Sequence, residues 1–442
     1  MVVRLIFVRH GLSSFNKMGL IQGRTDKSYL TEEGYKQAED TGKILNQIKI
    51  DQIYSSPLLR AAETAKTIEK CLKKNLKIIY DKNLLEVDLE TWSGLTTNQI
   101  KSKFKDSYQT WKKDPENLKI RNKNNIIYEP IQDLFNQSKI FIDSIIKNNE
   151  NFIDQNILII AHNAILRCLI LELIKKPKKG FRKIKLDNAS ISIINFSKKD
   201  NYFNTQIECL NQTSHLNQNI PKQIGDSRII LVRHGETDWN KEGRFQGQIN
   251  IPLNTKGKEQ ANSASKYLKG LKFNKAFSSS MDRPYETAEI ILKNQSNLKI
   301  IKVYELVEIS HGLWEGKLDS EISEEWPEML KAWHKEPEKV LMPEGESIQQ
   351  VSERSIKAWN CICKSQKKND ITLLVAHDAV NKTIICNILG LNYSDIWKIK
   401  QGNGGITVID IFDDPQKDSV LSSLNITNHL GNILDSTASG AL

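Results

Sequence analysis

The chain has 442 residues, 39% hydrophobic and 26% charged, with 63 Lys and Arg against 53 Asp and Glu, a net charge of +10. Such values belong to a soluble globular protein of two or three ordinary domains and exclude a chain too polar to form a core. The positive balance suits anionic partners, yet no basic and aromatic residues interleave as in a nucleic-acid grip, so nucleic acid is not the partner expected.

In chain order, the apolar run Val2–Val8 reads as a buried strand that ends in Arg9-His10-Gly11. A loop containing Gly19 and Gly23 leads to Leu30, and Thr31 is the expected N-cap of a helix reaching about Leu45. A short strand at Ile50–Tyr54 closes in Ser55-Ser56-Pro57, and Arg60 lies just inside the next helix. A strand at Lys77–Tyr80 precedes Leu84-Leu85-Glu86, and a mostly helical stretch runs to about Lys147. Asn156–Ile160 reads as a buried strand ending at His162, followed by a helix Asn163–Ile174, a strand Ser190–Phe196 and a closing segment Gln206–Leu216. Strands alternating with helices predict an α/β fold built on a mostly parallel sheet flanked by helices in three layers.

The second half repeats this order. Ile229–Val232 runs into Arg233-His234-Gly235, a loop Gly243–Leu253 precedes a helix from Thr255, and Arg283 follows Ser278-Ser279-Ser280. Glu308 then precedes a Gly- and Trp-bearing turn, Ile371–Val375 runs into His377, and a last strand spans Ile406–Ile409. The register drifts smoothly: His10 and His234 are 224 apart (234 − 10), Arg60 and Arg283 223, Glu86 and Glu308 222, His162 and His377 215, and Asn188 and Asn403 215. A repeat of this length means one fold used twice. The expected domains are residues 1–216 and 228–430, joined by a Pro-, Gly- and polar-rich linker at 217–227 and followed by a disordered tail at 431–442.

No membrane partner is expected. The longest apolar region, Ile157–Ile174, carries His162, Asn163, Arg167 and Glu172, and residues 1–20 lack the layout of a secretory signal. Six cysteines without paired spacing read as free thiols of a reducing cytoplasm. The basic stretch Lys175–Lys185 reads as a solvated loop, with an anion-attracting rim as the lesser alternative. His215 and His429 read as structural strand-end residues, and Trp111 and Trp333 as core.

The repeat selects Arg9, His10, Arg60, Glu86 and His162 in the first half, and Arg233, His234, Arg283, Glu308 and His377 in the second. Hydrolysis of a phosphomonoester needs a nucleophile, several cations or donors around the equatorial oxygens, and an acid for the leaving alkoxide. Each set supplies all three: one imidazole to attack, two guanidinium groups and a second imidazole to hold oxygens, and a carboxyl to deliver the proton. The expected partner is therefore a small phosphorylated metabolite.

Both halves resemble the histidine phosphatase superfamily, the phosphoglycerate-mutase-like proteins. The resemblance is carried by VRHGETDWN, GRFQG, SSSMDRPYETAE, LVEISHGLWEG, PEGES and VAHD in the second half, and by VRHGLSSFN, GLIQG, SSPLLRAAETA, LLEVDLETWSG and IAHN in the first. It implies that His10 and His234 become transiently phosphorylated and that Glu86 and Glu308 take the proton-donor place. It implies phosphoryl binding by Arg9, Arg60 and His162 and by Arg233, Arg283 and His377, with Asn16 and Asn240 as added contacts. No metal and no cofactor is implied. Within the family the tandem layout is similar to 2-carboxy-D-arabinitol-1-phosphatases, and the compact halves also resemble α-ribazole-phosphate phosphatases.

The halves differ in places. Gly11-Leu12-Ser13 stands opposite Gly235-Glu236-Thr237, and Tyr128-Glu129-Pro130 opposite Gly345-Glu346-Ser347. Ser347 with Gln350 spells a capping box, and Pro130 suits the first position of a helix. These changes spare the repeated set but reshape the pocket wall. The reading is a metal-independent phosphatase of small, sugar-phosphate-like esters, with an active second site and a first site acting on another substrate. The alternatives are a phosphoglycerate-type mutase, an α-ribazole-phosphate phosphatase, or a first half that is a non-catalytic binding copy.

Overall fold

The computed structural model describes residues 2–148, 154–175, 178–199, 202–295, 298–413 and 419–437. The chain divides into two compact units, Met1–Pro221 and Lys222–Leu442.

The sheet of the first unit contains β1 (Val2–Arg9), β2 (Gln52–Ser55), β3 (Ile78–Tyr80), β4 (Gln155–Ala161), β5 (Ile191–Lys199) and β6 (Tyr202–Gln212), in the order β6-β5-β1-β4-β2-β3. Strands β1, β4, β2 and β3 are parallel, while β5 is antiparallel to β1 and to β6. The second unit repeats the arrangement with β7 (Ser227–Arg233), β8 (Lys275–Ser279), β9 (Ile300–Val303), β10 (Ile371–Ala376), β11 (Ile406–Ile411) and β12 (Ser419–Ile426), in the order β12-β11-β7-β10-β8-β9. Here too β7, β10, β8 and β9 are parallel and β11 is antiparallel on both sides.

The central strands are buried on both faces: Ile157 to Ala161 and Ile229 to Val232 are solvent-free. This explains their unbroken apolar spelling, since helices cover a parallel sheet on each side. The helix Asn163–Leu173 is itself almost wholly buried, as is Asp378–Leu389. Thr31 caps the helix Glu32–Leu45 by accepting from the Gly34 N–H, and Ser347 with Gln350 closes a capping box on Ile348–Lys364.

Three differences from the expected elements stand out. The helical stretch before Lys147 is interrupted by a small antiparallel ribbon, Ile120–Arg121 against Ile127–Tyr128. The segment after Gly431 is not loose up to Thr437: Ile433 is buried, and Asp435 accepts from the Asn425 side chain at 3.1 Å. The rest of that expected tail, 438–442, lies outside the described residues. The third difference is at Phe181, which is buried, as are Ile184 and Lys185, so the Lys175–Lys185 stretch is only partly a solvated loop.

In each unit a pair of glycines lets the loop after the first strand touch the start of a helix. A Cβ on Gly235 would sit 2.4 Å from the Gly257 carbonyl oxygen, and one on Gly257 would sit 2.1 Å from that of Glu236. Gly11 and Gly34 make the same contact. No side chain fits there without moving the backbone that carries His234. Gly257→Ala should therefore lower stability by about 1–3 kcal/mol, read as a lower urea midpoint at unchanged m-value.

Candidate active site

Two parallel neighbours, β7 and β10, deliver the central histidines of the second unit. Arg233 pairs in register with Ala376, and the His234 N–H donates to the Ala376 carbonyl at 3.0 Å. His234 and His377 thus leave adjacent strand ends, one strand spacing apart, with ring centroids 5.2 Å apart. The sheet changes from parallel to antiparallel at β7, the place where open α/β sheets leave a crevice.

His234 Nδ1 lies 2.7 Å from the Gly235 carbonyl oxygen. A carbonyl only accepts, so Nδ1 holds the ring proton and Nε2 keeps its lone pair. Burial, with Arg283 and Arg233 beside it, holds the ring pKa well below the usual histidine value. Arg283 confirms the tautomer by donating from Nε to His234 Nε2 at 3.3 Å. A neutral imidazole whose Nε2 carries a lone pair rather than a proton is the form that can attack phosphorus.

The guanidinium groups are gripped by main chain. Arg283 sits at the start of the helix Asp282–Leu292, solvent-free, donating to the carbonyls of Gly247 at 2.7 Å and Ile249 at 3.1 Å. Arg233 donates to the Gln401 carbonyl at 2.6 Å. Burial lowers the Arg283 pKa to about 10. His377 shares a 2.9 Å hydrogen bond between Nε2 and the Ser279 hydroxyl. Arg233 Nε and His377 Nδ1 are buried with no partner. Buried donors are ordinarily satisfied, and unsatisfied ones call for a reason; an oxyanion supplies one.

Glu308 lies at the N-terminus of the helix Asp378–Leu389. Its Oε2 accepts from the Asp378 N–H at 3.0 Å and its Oε1 from the Ile309 N–H at 3.0 Å. Burial and the Asp378 carboxylate raise its pKa above the ordinary value, which favours the protonated acid. The Asn240 side-chain oxygen is occupied, accepting from the Thr237 N–H at 3.2 Å and from Asn403 at 3.3 Å.

The first unit repeats this geometry. His10 N–H donates to Ala161 O at 3.0 Å, His10 Nδ1 lies 2.7 Å from the Gly11 carbonyl, and the His10 and His162 rings are 5.2 Å apart. Burial, then Arg60 and Arg9, holds the His10 pKa well down. Arg60 donates to the carbonyls of Gly23 at 2.8 Å and Thr25 at 2.9 Å, and Arg9 to that of Leu186 at 2.7 Å. His162 Nε2 is 2.8 Å from the Ser56 hydroxyl. Arg9 Nε and Arg60 Nε are buried donors with no partner, and His162 Nδ1 is buried without one as well. Glu86 accepts from the Val87 N–H at 2.9 Å and the Ala164 N–H at 3.1 Å. The Asn16 oxygen accepts from Asn188 at 3.1 Å.

All six residues selected in each half therefore converge. Others that hold them were not singled out from sequence. Thr64 and Thr287 accept from the Gly11 and Gly235 N–H groups at 3.1 and 3.2 Å and donate to the Arg60 and Arg283 carbonyls, both at 2.7 Å. Asn188 and Asn403 donate to the His10 and His234 carbonyls at 2.9 and 3.2 Å. Both pairs recur in the repeat, so a signal for them existed. His215 and His429 hold backbone carbonyls, Ala189 and Gly404 at 3.0 Å each, as structural residues do.

Two expectations need correction. Trp333 is core, but Trp111 is only half-buried and lines a cavity of about 160 Å³ with Arg9, Asn16, Glu86, Arg167 and Arg182. Arg182, from the stretch read as a solvated loop, stacks 4.5 Å over the Trp111 ring. No sequence signal could find Arg167 and Arg182, because neither is repeated in the second half. Among the described residues, no group of three or more His, Cys, Asp or Glu side chains could hold a metal ion, and no helix is long and apolar enough to cross a membrane.

A family model described as "Histidine phosphatase superfamily (branch 1)" matches residues 5–208 and 229–423. The chain is 27% identical to a 2-carboxy-D-arabinitol-1-phosphatase of Triticum aestivum over 97% of its own length and 86% of that protein's. It is 34% identical to phosphoserine phosphatase 1 of Hydrogenobacter thermophilus, covering 46% of this chain and 94% of the other. A crystal structure titled a putative alpha-ribazole-5'-P phosphatase from Escherichia coli shares 28% identity at a TM-score of 0.43, covering 46% of this chain and 97% of that one.

His311 occupies the place of Leu89 and offers a test of burial. It lies between the Phe245 and Trp333 rings at 5.0 and 6.1 Å, its Nδ1 has no partner, and burial lowers its pKa to about 3. On unfolding below its ordinary value it would take up a proton, so its contribution is complete above about pH 6.5 and is lost as pH falls toward 3. His311→Leu should flatten the fall in urea midpoint between pH 6.5 and 4.5, by up to about 1.4 kcal/mol per pH unit.

Proposed function

The chain belongs to the histidine phosphatase superfamily, branch 1, and we propose from that premise that it hydrolyses small phosphomonoesters through a phosphohistidine in each unit. The observation that carries the reading is the recurrence, in both units, of orphan buried donors around a neutral imidazole Nε2.

In the second unit, His234 Nε2 attacks phosphorus while the bond to the ester oxygen breaks, and Glu308 gives its proton to the departing alkoxide. Arg233, Arg283 and His377 hold the equatorial oxygens, with Asn240 as a further donor. A water then loses its proton to the Glu308 carboxylate and attacks phosphorus, the P–N bond breaks, and phosphate leaves with the imidazole neutral again. His10, Glu86, Arg9, Arg60, His162 and Asn16 take the same parts in the first unit.

The catalytic domains of this reading are residues 1–216 and 228–430, with 217–227 as the linker, whose last residue already opens β7, and 431–442 as the C-terminal segment, which is packed as far as Thr437. A sugar-phosphate-like substrate fits the relative named for a carboxylated sugar-alcohol phosphate, while another is named for phosphoserine, an amino-acid phosphate. Six free cysteines suit a reducing, cytoplasmic setting.

A panel of phosphate esters with wild type, His10→Ala, His234→Ala and the double variant tests the reading. Each single variant should lose a distinct set of substrates, and the double variant should release no phosphate. Turnover that survives the double variant overturns the proposal. In a His10→Ala background, which leaves only the second site, Glu308→Gln should slow alkyl-ester cleavage by about 10²–10⁴-fold. With a nitrophenyl ester, whose leaving group needs no proton, the burst of nitrophenolate should persist.

A further inference from the structure

The walls beside the two sites differ in charge. In the second unit, Lys382 is buried and ion-paired to Asp378 at 2.9 Å, and Arg233 lies 3.7 Å from the same carboxylate. Asn163 and Arg167 take those places in the first unit, so a cation of equal reach stands there without its carboxylate. Arg182 in turn replaces Trp397. The two are matched by what they hold: Arg182 donates from Nη2 to the Trp111 carbonyl, as the Trp397 indole donates to the Trp333 carbonyl at 2.8 Å.

Arg167 and Arg182 flank one ring, their guanidinium carbons 5.5 and 5.7 Å from the Phe181 centroid. Among the described residues Arg167 forms no ion pair, and the Nε atoms of both are buried without a hydrogen-bond partner. Burial, with Arg182 and Arg9 nearby, lowers the Arg167 pKa to about 9, and burial lowers that of Arg182 to about 10. Both border the cavity that also reaches Arg9, Asn16 and Glu86. Glu86 and Glu116 offset these charges only from a distance, and two cations in a wall rich in aromatic and aliphatic groups carry a desolvation cost. A ligand oxyanion relieves it, and the guanidinium fork suits carboxylate or phosphate.

We propose that the first unit takes phosphomonoesters whose carbon chain bears a second oxyanion, seated on Arg167 and Arg182, and that the second unit does not. This rests on the phosphatase reading for its catalytic half only; the binding half stands by itself. In the second unit the Asp378 carboxylate already fills the equivalent place, and Trp397 offers no charge.

The test uses the full chain carrying His234→Ala and compares glycerol 3-phosphate, 3-phosphoglycerate and 1,3-propanediol bisphosphate. The expected result is kcat/KM at least about 10-fold higher for an ester with a second oxyanion, about 1.4 kcal/mol; the last two esters tell carboxylate from phosphate. Adding Arg167→Met should remove that preference, chiefly through KM, and Arg167→Lys should restore part of it. Asn163→Asp, which copies the second unit's carboxylate and keeps both arginines, should remove it as well. Equal kcat/KM for all three esters, or a preference that survives both Arg167→Met and Asn163→Asp, overturns the inference. Isothermal titration of the same esters into His10→Ala/His234→Ala reads binding without turnover. No turnover by the His234→Ala chain, with a binding preference that Arg167→Met abolishes, overturns the phosphatase reading of the first unit and upholds the oxyanion site. Turnover without preference does the reverse.

Discussion

Each unit holds one guanidinium group, Arg60 or Arg283, out of water without an ion pair to a carboxylate among the described residues. Arg60 and Arg283 are solvent-free, and each is gripped by two main-chain carbonyls of the loop that passes the site. Carbonyl dipoles fix the direction of a guanidinium while leaving its charge uncompensated. The remaining attraction is directed at whatever anion enters, and the cost of orienting the donors has been met during folding. Burial, and after it the same positive field, keeps His10 and His234 neutral, and the Gly11 and Gly235 carbonyls keep the ring proton on Nδ1. Charge for the oxygens and a lone pair for phosphorus therefore have a common origin in burial.

The rest of the fold serves that constraint. Parallel strands place two histidines side by side because their carboxyl ends are adjacent, and the helix following the second of these strands points its N-terminus at Glu86 or Glu308. Backbone N–H groups orient the carboxylate, while burial and Asp378 push Glu308 toward its protonated form. Asn188 and Asn403 tie the histidine loop to the antiparallel side of the sheet, and Thr64 and Thr287 tie it to the helix bearing the arginine. Few of these contacts are free to vary alone.

The two copies diverge where this constraint ends. Asp378 and Lys382 neutralise each other in one unit, whereas Asn163 and Arg167 leave a cation in the other. A tandem chain can keep one phosphoryl cradle twice and vary its wall, since the Thr64 and Asn188 contacts that hold the histidine loop, and those of Thr287 and Asn403, do not run through Arg167 or Lys382.

The order of the main elements and the ten residues selected by the repeat were legible in the sequence alone, because both depend on local spelling and on self-comparison. An unbroken apolar run ending in Arg-His-Gly reads as a doubly covered strand, and His10, Arg60, Glu86 and His162 recur at steady offsets in His234, Arg283, Glu308 and His377. Self-comparison reports what two copies share and is blind to what they do not. Arg167, opposite Lys382, and Arg182, opposite Trp397, have no matching partner, and the segment bearing Arg182 spells like solvent-facing loop. Trp111 spells like Trp333, yet one is core and the other is half-buried against a cavity. Only tertiary packing decided these, since burial and charge compensation depend on neighbours brought from distant parts of the chain, and a cation's lack of a partner has no local spelling.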